Sequence, residues 1–283
     1  MPLILQQFSL FARTALTLAV ALALPARAAI LNLPVPGGVA VIPLQLNSAV
    51  RPQAFFGDRP VWVRRDGAEW QAIVGLPLDL PTGPQTLTVD SPDGARTIAF
   101  AVAPKRYPAQ HIRLSDNSKV TLSEPDEARA LKEIDEIQAL KRHWRASEPG
   151  DETDTRFTRP ASGRIASRFG LQRFFNGEPR APHVGLDIAV PRGTPVRAMA
   201  HGVVLGVGDY FFNGKTVFVD HGNGLISMVC NLDEITVSPG QPITTGQSLG
   251  LSGMTGRASG PHVHWSVILN GAMVDPDLFT DRP

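Results

Sequence analysis

The chain reads as mostly β, with two antiparallel β regions joined by one amphipathic helix. Three observations predict this. Gly and Pro are abundant, at 26 and 25 of 283 residues, while aromatic residues make up 7%. Such a composition suits short strands and many turns better than a helical bundle. Short runs rich in Val, Ile, Thr and aromatics recur between turn signals in both halves of the chain. Only the stretch 124 to 145 changes to a spacing of three to four between apolar residues.

The first residues predict an export signal. Arg13 closes a mildly basic start, Thr14 to Leu24 form an apolar run, and Ala26-Arg27-Ala28 places small residues where a signal peptidase reads. Residues 1–28 are therefore expected to be removed before Ala29, giving a periplasmic protein. The apolar run is shorter than the ~20 residues of a spanning helix, and no other stretch is long enough, so no membrane span is expected after processing. The one cysteine, Cys230, cannot form an intramolecular disulfide, and none follows the signal to carry a lipid. With 27 basic and 26 acidic side chains, the chain lacks the broad basic face that nucleic-acid binding needs.

Residues 29–122 are expected to form a small accessory β domain resembling a sandwich. Its strands are Val39 to Leu44, Val61 to Arg65, Trp70 to Val74, Gln85 to Val89 and Thr97 to Val102. Turn signals at Asp66-Gly67, Pro81 to Pro84 and Asp93-Gly94 separate them. Residues 123–160 are expected to be helix and linker. Ser123 is a plausible N-cap and Pro125 suits the first turn; Ala128, Leu131, Ile134, Ile137, Leu140 and Trp144 then form a stripe expected to pack on a domain. Residues 147 to 160 are polar and unpatterned, which reads as a linker letting the two parts move. Residues 161–283 return to β, with strands at Gly202 to Val207, Thr216 to Asp220, Ile226 to Leu232 and His262 to Leu269, and an Asn223-Gly224 turn between the second and third.

The histidines carry the chemistry. His183-Val184-Gly185-Leu186-Asp187 places a nitrogen and an oxygen ligand four residues apart. In a straight strand these would lie ~13 Å apart, so Gly185 is expected to bend the chain until they converge. Surface loops often hold such a pair. His262-Val263-His264 puts two imidazoles on one strand face, ~7 Å apart, with Val263 and Trp265 opposite. A solvated strand face would look the same. Two histidines and one aspartate leave a fourth coordination position open. That set favours zinc over calcium or magnesium, and lowers the pKa of a bound water to ~7. His221 is expected to be structural, His111 and His143 to be surface residues, and His201 has no identifiable partner.

The motifs Pro182-His183-Val184-Gly185-Leu186-Asp187, Gly193-Thr194-Pro195-Val196, Asp220-His221-Gly222-Asn223-Gly224, Gly246-Gln247 and Thr255 to His264, in that order, resemble the lysostaphin-type zinc metallopeptidases of the Gram-negative exported kind. The resemblance runs from about Gly163 to Pro276 and implies an antiparallel β-sheet metallopeptidase domain with zinc in a narrow groove. It implies His183, Asp187 and His264 as zinc ligands, His262 as a catalytic histidine, and Arg168 to Arg180 as a groove wall. The implied activity is zinc-dependent endopeptidase hydrolysis of peptidoglycan cross-links, with peptidoglycan stem peptides as partners. By the same analogy the N-terminal module limits access to the groove.

One departure stands out. The family's Tyr-x-His-Leu segment, which carries a second catalytic imidazole, reads Val229-Cys230-Asn231-Leu232 here. Alternation is expected to point Val229 and Asn231 into the groove, with Asn231 binding substrate, and Cys230 away from it. An asparagine donates hydrogen bonds but takes no proton. The alternative reading is therefore a catalytically impaired regulator or activator of other wall hydrolases, with hydrolase or divisome partners.

Overall fold

The computed structural model describes residues 30–92, 94–112, 123–147, 153, 156–175 and 177–280. The expected export signal lies outside the described residues, as does Asp93 of the expected Asp93-Gly94 turn. The first part of the chain runs β1 (Val39–Pro43), β2 (Gln53–Phe56), β3 (Arg59–Pro60), β4 (Trp62–Asp66), β5 (Glu69–Gly75), β6 (Gly83–Ser91), β7 (Gly94–Val102) and β8 (Ala109–Ile112), then helix α1 (Glu124–Lys141). The second part runs β9 (Arg164–Ser167), β10 (Gln172–Phe175), β11 (Glu178–Pro179), β12 (Leu186–Ala189), β13 (Pro195–Arg197), β14 (Gly202–Tyr210), β15 (Gly214–Asp220), β16 (Leu225–Ile235), β17 (Pro242–Ile243), β18 (Ser248–Ser252), β19 (Val263–Leu269) and β20 (Ala272–Val274). The fold is mostly β with antiparallel sheets and one α-helix among the described residues, as the sequence predicts.

Two sheets make the first module. One has the order β1-β5-β4 and the other β3-β2-β6-β7. Between them lie Ala40, Ile42, Ala72, Val74, Leu87 and Val89. Strand alternation gives the first sheet a second apolar face. Val39, Trp62 and Ile73 point the other way and join one buried cluster with Leu225, Trp265, Leu269 and Val274 of the second part. The two parts thus share a core. Asn270, in the β19–β20 turn, seals the joint: its Oδ1 accepts from Gly75 N–H at 2.6 Å and its Nδ2 donates to Gly75 O at 3.1 Å. All three groups are buried.

The second part is built on a ten-stranded sheet whose main path is β17-β14-β15-β16-β19-β12-β9. A separate ribbon, β11-β10, carries the segment expected to wall the groove, and β8 from the first module pairs with β10 in parallel. The first module therefore contributes a strand to that wall.

Two expectations need correction. The linker is docked where it is described. Asn223 Nδ2 donates to Ser147 Oγ at 2.7 Å and to Thr153 Oγ1 at 2.9 Å, and Phe157 is buried against Phe279. Buried polar partners and an aromatic anchor override the polar composition. The helix also behaves differently. Ser123 caps it, accepting from Asp126 N–H, but it ends at Lys141, and Trp144 lies beyond it against Gly224. Of the expected stripe, Ile137 is buried, while Leu131 and Ile134 are 59% and 41% exposed. The helix does pack on a core through Ile137, buried with Tyr210, Phe218, Ile226, Met228, Cys230 and Ile268, and through Leu140 against them, while Leu131 faces out and Ile134 lines the groove that the helix crosses. Polar contacts add to this packing: Glu133 accepts from Phe211 N–H at 2.6 Å, Glu136 from Tyr210 Oη–H at 2.8 Å, and Arg129 donates to Asp209 O at 3.0 Å.

Asn270→Ala removes two buried hydrogen bonds across the joint and leaves Gly75 unpaired. The unfolding free energy should fall by about 2 kcal/mol or more. A denaturant titration with an unchanged midpoint would show that the modules are not held through this amide.

Candidate metal centre and groove

The register of β12 on β19 sets Asp187 directly opposite His264, so their side chains leave the same face of the sheet. His183 sits just before β12, with its N–H donated to Leu171 O at 3.0 Å and its O accepting from Gly170 N–H at 2.7 Å. The three side chains converge. His183 Nε2 lies 3.0 Å from Asp187 Oδ1 and 3.1 Å from His264 Nδ1, and His264 Nδ1 lies 2.9 Å from Asp187 Oδ1. Among the described residues, His183, Asp187 and His264 form the one group of three with metal-ligand spacing. Gly185 makes room for this by closeness, not by an unusual backbone angle. A Cβ there would stand 2.5 Å from Trp265 O and 2.7 Å from His264 Nε2. Gly185 was expected to act by bending the chain; its lack of a side chain is what matters.

The outer nitrogens fix the tautomers, assigned here from the hydrogen-bond network. His183 Nδ1 lies 2.9 Å from Arg168 O, which only accepts, so Nδ1 carries the proton and Nε2 turns a lone pair inward. Ser266 gives its hydroxyl proton to Val184 O, so it accepts from His264 Nε2–H at 2.8 Å, and His264 Nδ1 also turns a lone pair inward. Two lone pairs and a carboxylate oxygen thus face each other about 3 Å apart with no proton donor between them. A cation at the centre satisfies all three. Burial pushes the Asp187 carboxyl up, and His183 and His264 lower it only where they donate protons to it, so with both lone pairs turned inward it is a cation that would hold the carboxylate ionised. Burial pushes His264 down, against Asp187, which keeps the ring in the neutral form a metal needs.

His262 stands beside this group. Its Nδ1–H donates to Gly260 O at 2.7 Å, leaving Nε2 as a free acceptor 3.8 Å from Asp187 Oδ1. Asn231 also lines the groove, but not by simple alternation. Cys230 pairs with His264 and Val229 with Trp265, so Cys230 is on the groove side and Val229 points into the core. This reverses the expectation for both. The cause is a bulge between the β15 pairings of Val229 and Leu232, where Asn231 adopts φ 62° and swings back toward the groove. Its two amide hydrogens go to Thr255 O at 2.9 Å and Asn213 O at 3.3 Å, and Oδ1 alone remains for another partner. Cys230 is a buried residue whose thiol is pushed up to about 11 by burial, partly offset by Asn213, which suits packing and not attack.

The groove, about 330 Å³, is walled by the ribbon through Arg173, by Phe212 and Asn213, by Arg257 and by helix α1 through Ile134, Ile137, Gln138 and Lys141. A larger cleft of about 1010 Å³ lies between the modules and shares Gln138, Lys141, Val184 and Met273 with the groove. It holds none of the three convergent side chains. His221 is structural, bonded to His201 O and Ser227 Oγ. His111 stacks on Phe174 of the ribbon, and His143 approaches Asp220 at 3.6 Å. Sequence reasoning missed Ser266, the helix and Ser167, whose Oγ lies 3.1 Å from His183 Nδ1, as parts of the site. Ser266 was within reach, since it lies two residues after His264 on the same strand face; Ser167 and α1 have no local signal.

Residues 181–276 match the sequence profile of peptidase family M23, and residues 32–105 match that of the peptidase family M23 N-terminal domain. A crystal structure of a peptidase M23 from Pseudomonas aeruginosa is 43% identical, covers 88% of this chain and 96% of its own, and superposes with a TM-score of 0.74. The chain belongs to peptidase family M23. It is also similar to the peptidoglycan DD-endopeptidase ShyA of Vibrio cholerae, 35% identical over 182 residues, which is 58% of this chain and 42% of that protein. The DD-carboxypeptidase/endopeptidase Mpg of Neisseria meningitidis is 36% identical over 113 residues, 40% of this chain and 26% of its own. The chain thus spans less than half the length of these two relatives.

Gly185→Ala should push β12 from β19 and spread the three ligand atoms. Elemental analysis should find well under one metal ion per folded chain. A full complement would show that the close approach at Gly185 is dispensable.

Proposed function

We propose that the chain is a zinc-dependent endopeptidase that hydrolyses peptide cross-links of bacterial peptidoglycan. The observation that carries this reading is the facing set of lone pairs on His183 Nε2 and His264 Nδ1 with Asp187 Oδ1, beside the free acceptor Nε2 of His262. His183, Asp187 and His264 hold the ion. A nitrogen–carboxylate set of three favours zinc, and atoms ~2.0–2.1 Å from a tetrahedral ion stand roughly 3.3 Å apart, close to the spacing seen. Zinc supplies Lewis acidity to a carbonyl and to water when bound. His262 Nε2 takes the proton of the attacking water, its ring aimed by Gly260 O. Arg168 O and Ser266 fix the two ligand rings from behind. The names of the similar proteins from Vibrio cholerae and Neisseria meningitidis support the choice of peptidoglycan as substrate.

On this reading residues 29–122 are an accessory domain, 123–160 helix and linker, and 161–283 the peptidase domain, and the signal-like residues 1–28 direct it to the periplasm. A second reading, a regulator of other wall hydrolases, is favoured by one observation. Asn231 stands at the usual position of a second imidazole with its amide hydrogens committed to the main chain. Asn231 Oδ1 then serves substrate only as an acceptor.

Digestion of purified cross-linked peptidoglycan by the zinc-loaded chain, with mass analysis of the fragments, separates the two readings. Released cross-link peptides support the peptidase; intact wall favours the regulator. His183→Ala, Asp187→Ala or His264→Ala should each strip the metal, and full zinc in any of them would overturn the ligand set. His262→Ala should keep zinc and lose about 10²–10⁴-fold in rate. A variant cleaving at the parent rate would remove His262 from the mechanism.

A further inference from the structure

The charges lining the groove are unevenly spent. Its one carboxylate, Asp187, faces His183 and His264, and its second oxygen lies 3.7 Å from Arg173 Nη2. Arg173 is further occupied with Ser167 Oγ. Two other cations line the same groove. Arg257 lays its guanidinium on the Phe212 ring, 4.8 Å from the centroid, and its main-chain N–H is held by Phe212 O at 3.0 Å. No carboxylate partners that guanidinium among the described residues. Lys141, on the last turn of α1, stands where the groove opens into the larger cleft between the modules. Its ammonium has no hydrogen bond or ion pair among the described residues. Burial opposes its charge, and the one group that would favour it, a Cys230 thiolate, is itself disfavoured by burial. A half-buried ammonium without a partner is costly, and an anion entering beside it removes that cost.

We propose that Lys141 and Arg257 are receptors for carboxylates of the substrate, and that they make the groove select cross-linked peptides with free carboxylates over amidated ones. The inference rests on the peptidase reading above. The chemistry of the substrate fits it. In a DD cross-link built on a diamino diacid, the carbon bearing the scissile nitrogen also carries a carboxyl group, which is free in some walls and amidated in others. Arg257 suits a planar carboxylate because Phe212 fixes the plane of its fork. Lys141 suits a second carboxylate further along the stem, at the joint of the two clefts. Both are specificity residues; neither touches the three convergent ligand atoms.

The test uses the full zinc-loaded chain and two synthetic cross-linked stem peptides that differ only in carboxylate against carboxamide. Cleavage is followed by chromatography, and binding of the corresponding uncleaved single stems by titration calorimetry. The parent should favour the carboxylate form about tenfold or more, in KM and binding affinity more than in kcat. Lys141→Met and Arg257→Gln should each remove most of that preference, while Lys141→Arg should retain it. Added salt should shrink the preference in the parent. Equal handling of both forms by the parent, with cleavage intact, would overturn this inference alone, as would a preference unchanged in both Lys141→Met and Arg257→Gln. Failure to bind or cleave either form would sink the peptidase reading and the inference with it.

Discussion

The pairing of β12 with β19 is the constraint from which the site hangs. Only when Asp187 stands opposite His264 do the two side chains leave the sheet together, and only then does the bend before β12 bring His183 to the same point. A slip of one residue would send Asp187 into the core and Leu186 into the groove. The register is secured from the other face, where Leu186, Ile188, Val263 and Trp265 are all fully buried. The apolar side of the sheet thus decides what the polar side can do.

Around that centre, the chain spends main-chain carbonyls and small hydroxyls on orientation. Arg168 O, Gly260 O and Ser266 each settle which nitrogen of a neighbouring ring carries its proton. Asn231 does a related service for the loop that delivers His262, tying Thr255 to Asn213. Thr255 adds its own hydroxyl to Leu232 O and accepts from Lys215 N–H. The groove is therefore a composite of several elements. The sheet gives its floor, the ribbon after Ser167 and the loop before His262 give two walls, and helix α1 gives the roof side.

Much of this was legible in the sequence, for definite reasons. Strands with β-branched runs and turn pairs were found because their signals are local: Gly67 and Asn223 do adopt the positive φ their turns require. The convergence of His183, Asp187 and His264 was implied by a recognisable motif order. What escaped depends on distance along the chain. The pairing of β8 with β10, the docking of Ser147 on Asn223 and the crossing of α1 over the groove all join segments with no shared local pattern. The faces of Val229 and Cys230 were misread because strict alternation assumes a regular ladder, and one extra residue at a bulge reverses it. The helix stripe held for Ile137 and Leu140 and failed for Leu131 and Ile134, because periodicity reports that a face is apolar, not how much of it is covered.

The first sheet of the accessory module has no outside. Val39, Trp62 and Ile73 are finished only by residues such as Leu225, Leu269 and Val274, which are made much later. A chain synthesised from its amino end therefore completes β1 to β7 long before both faces of that sheet can be covered. For the interval in which some hundred and twenty residues separate Val102 from Leu225, a broad apolar surface waits in water. Such late closure makes folding slow, because contacts far apart in sequence must form before they reward the ordering they cost. Until the second part is made, that face has no cover within the chain, so the two parts reach their final form together.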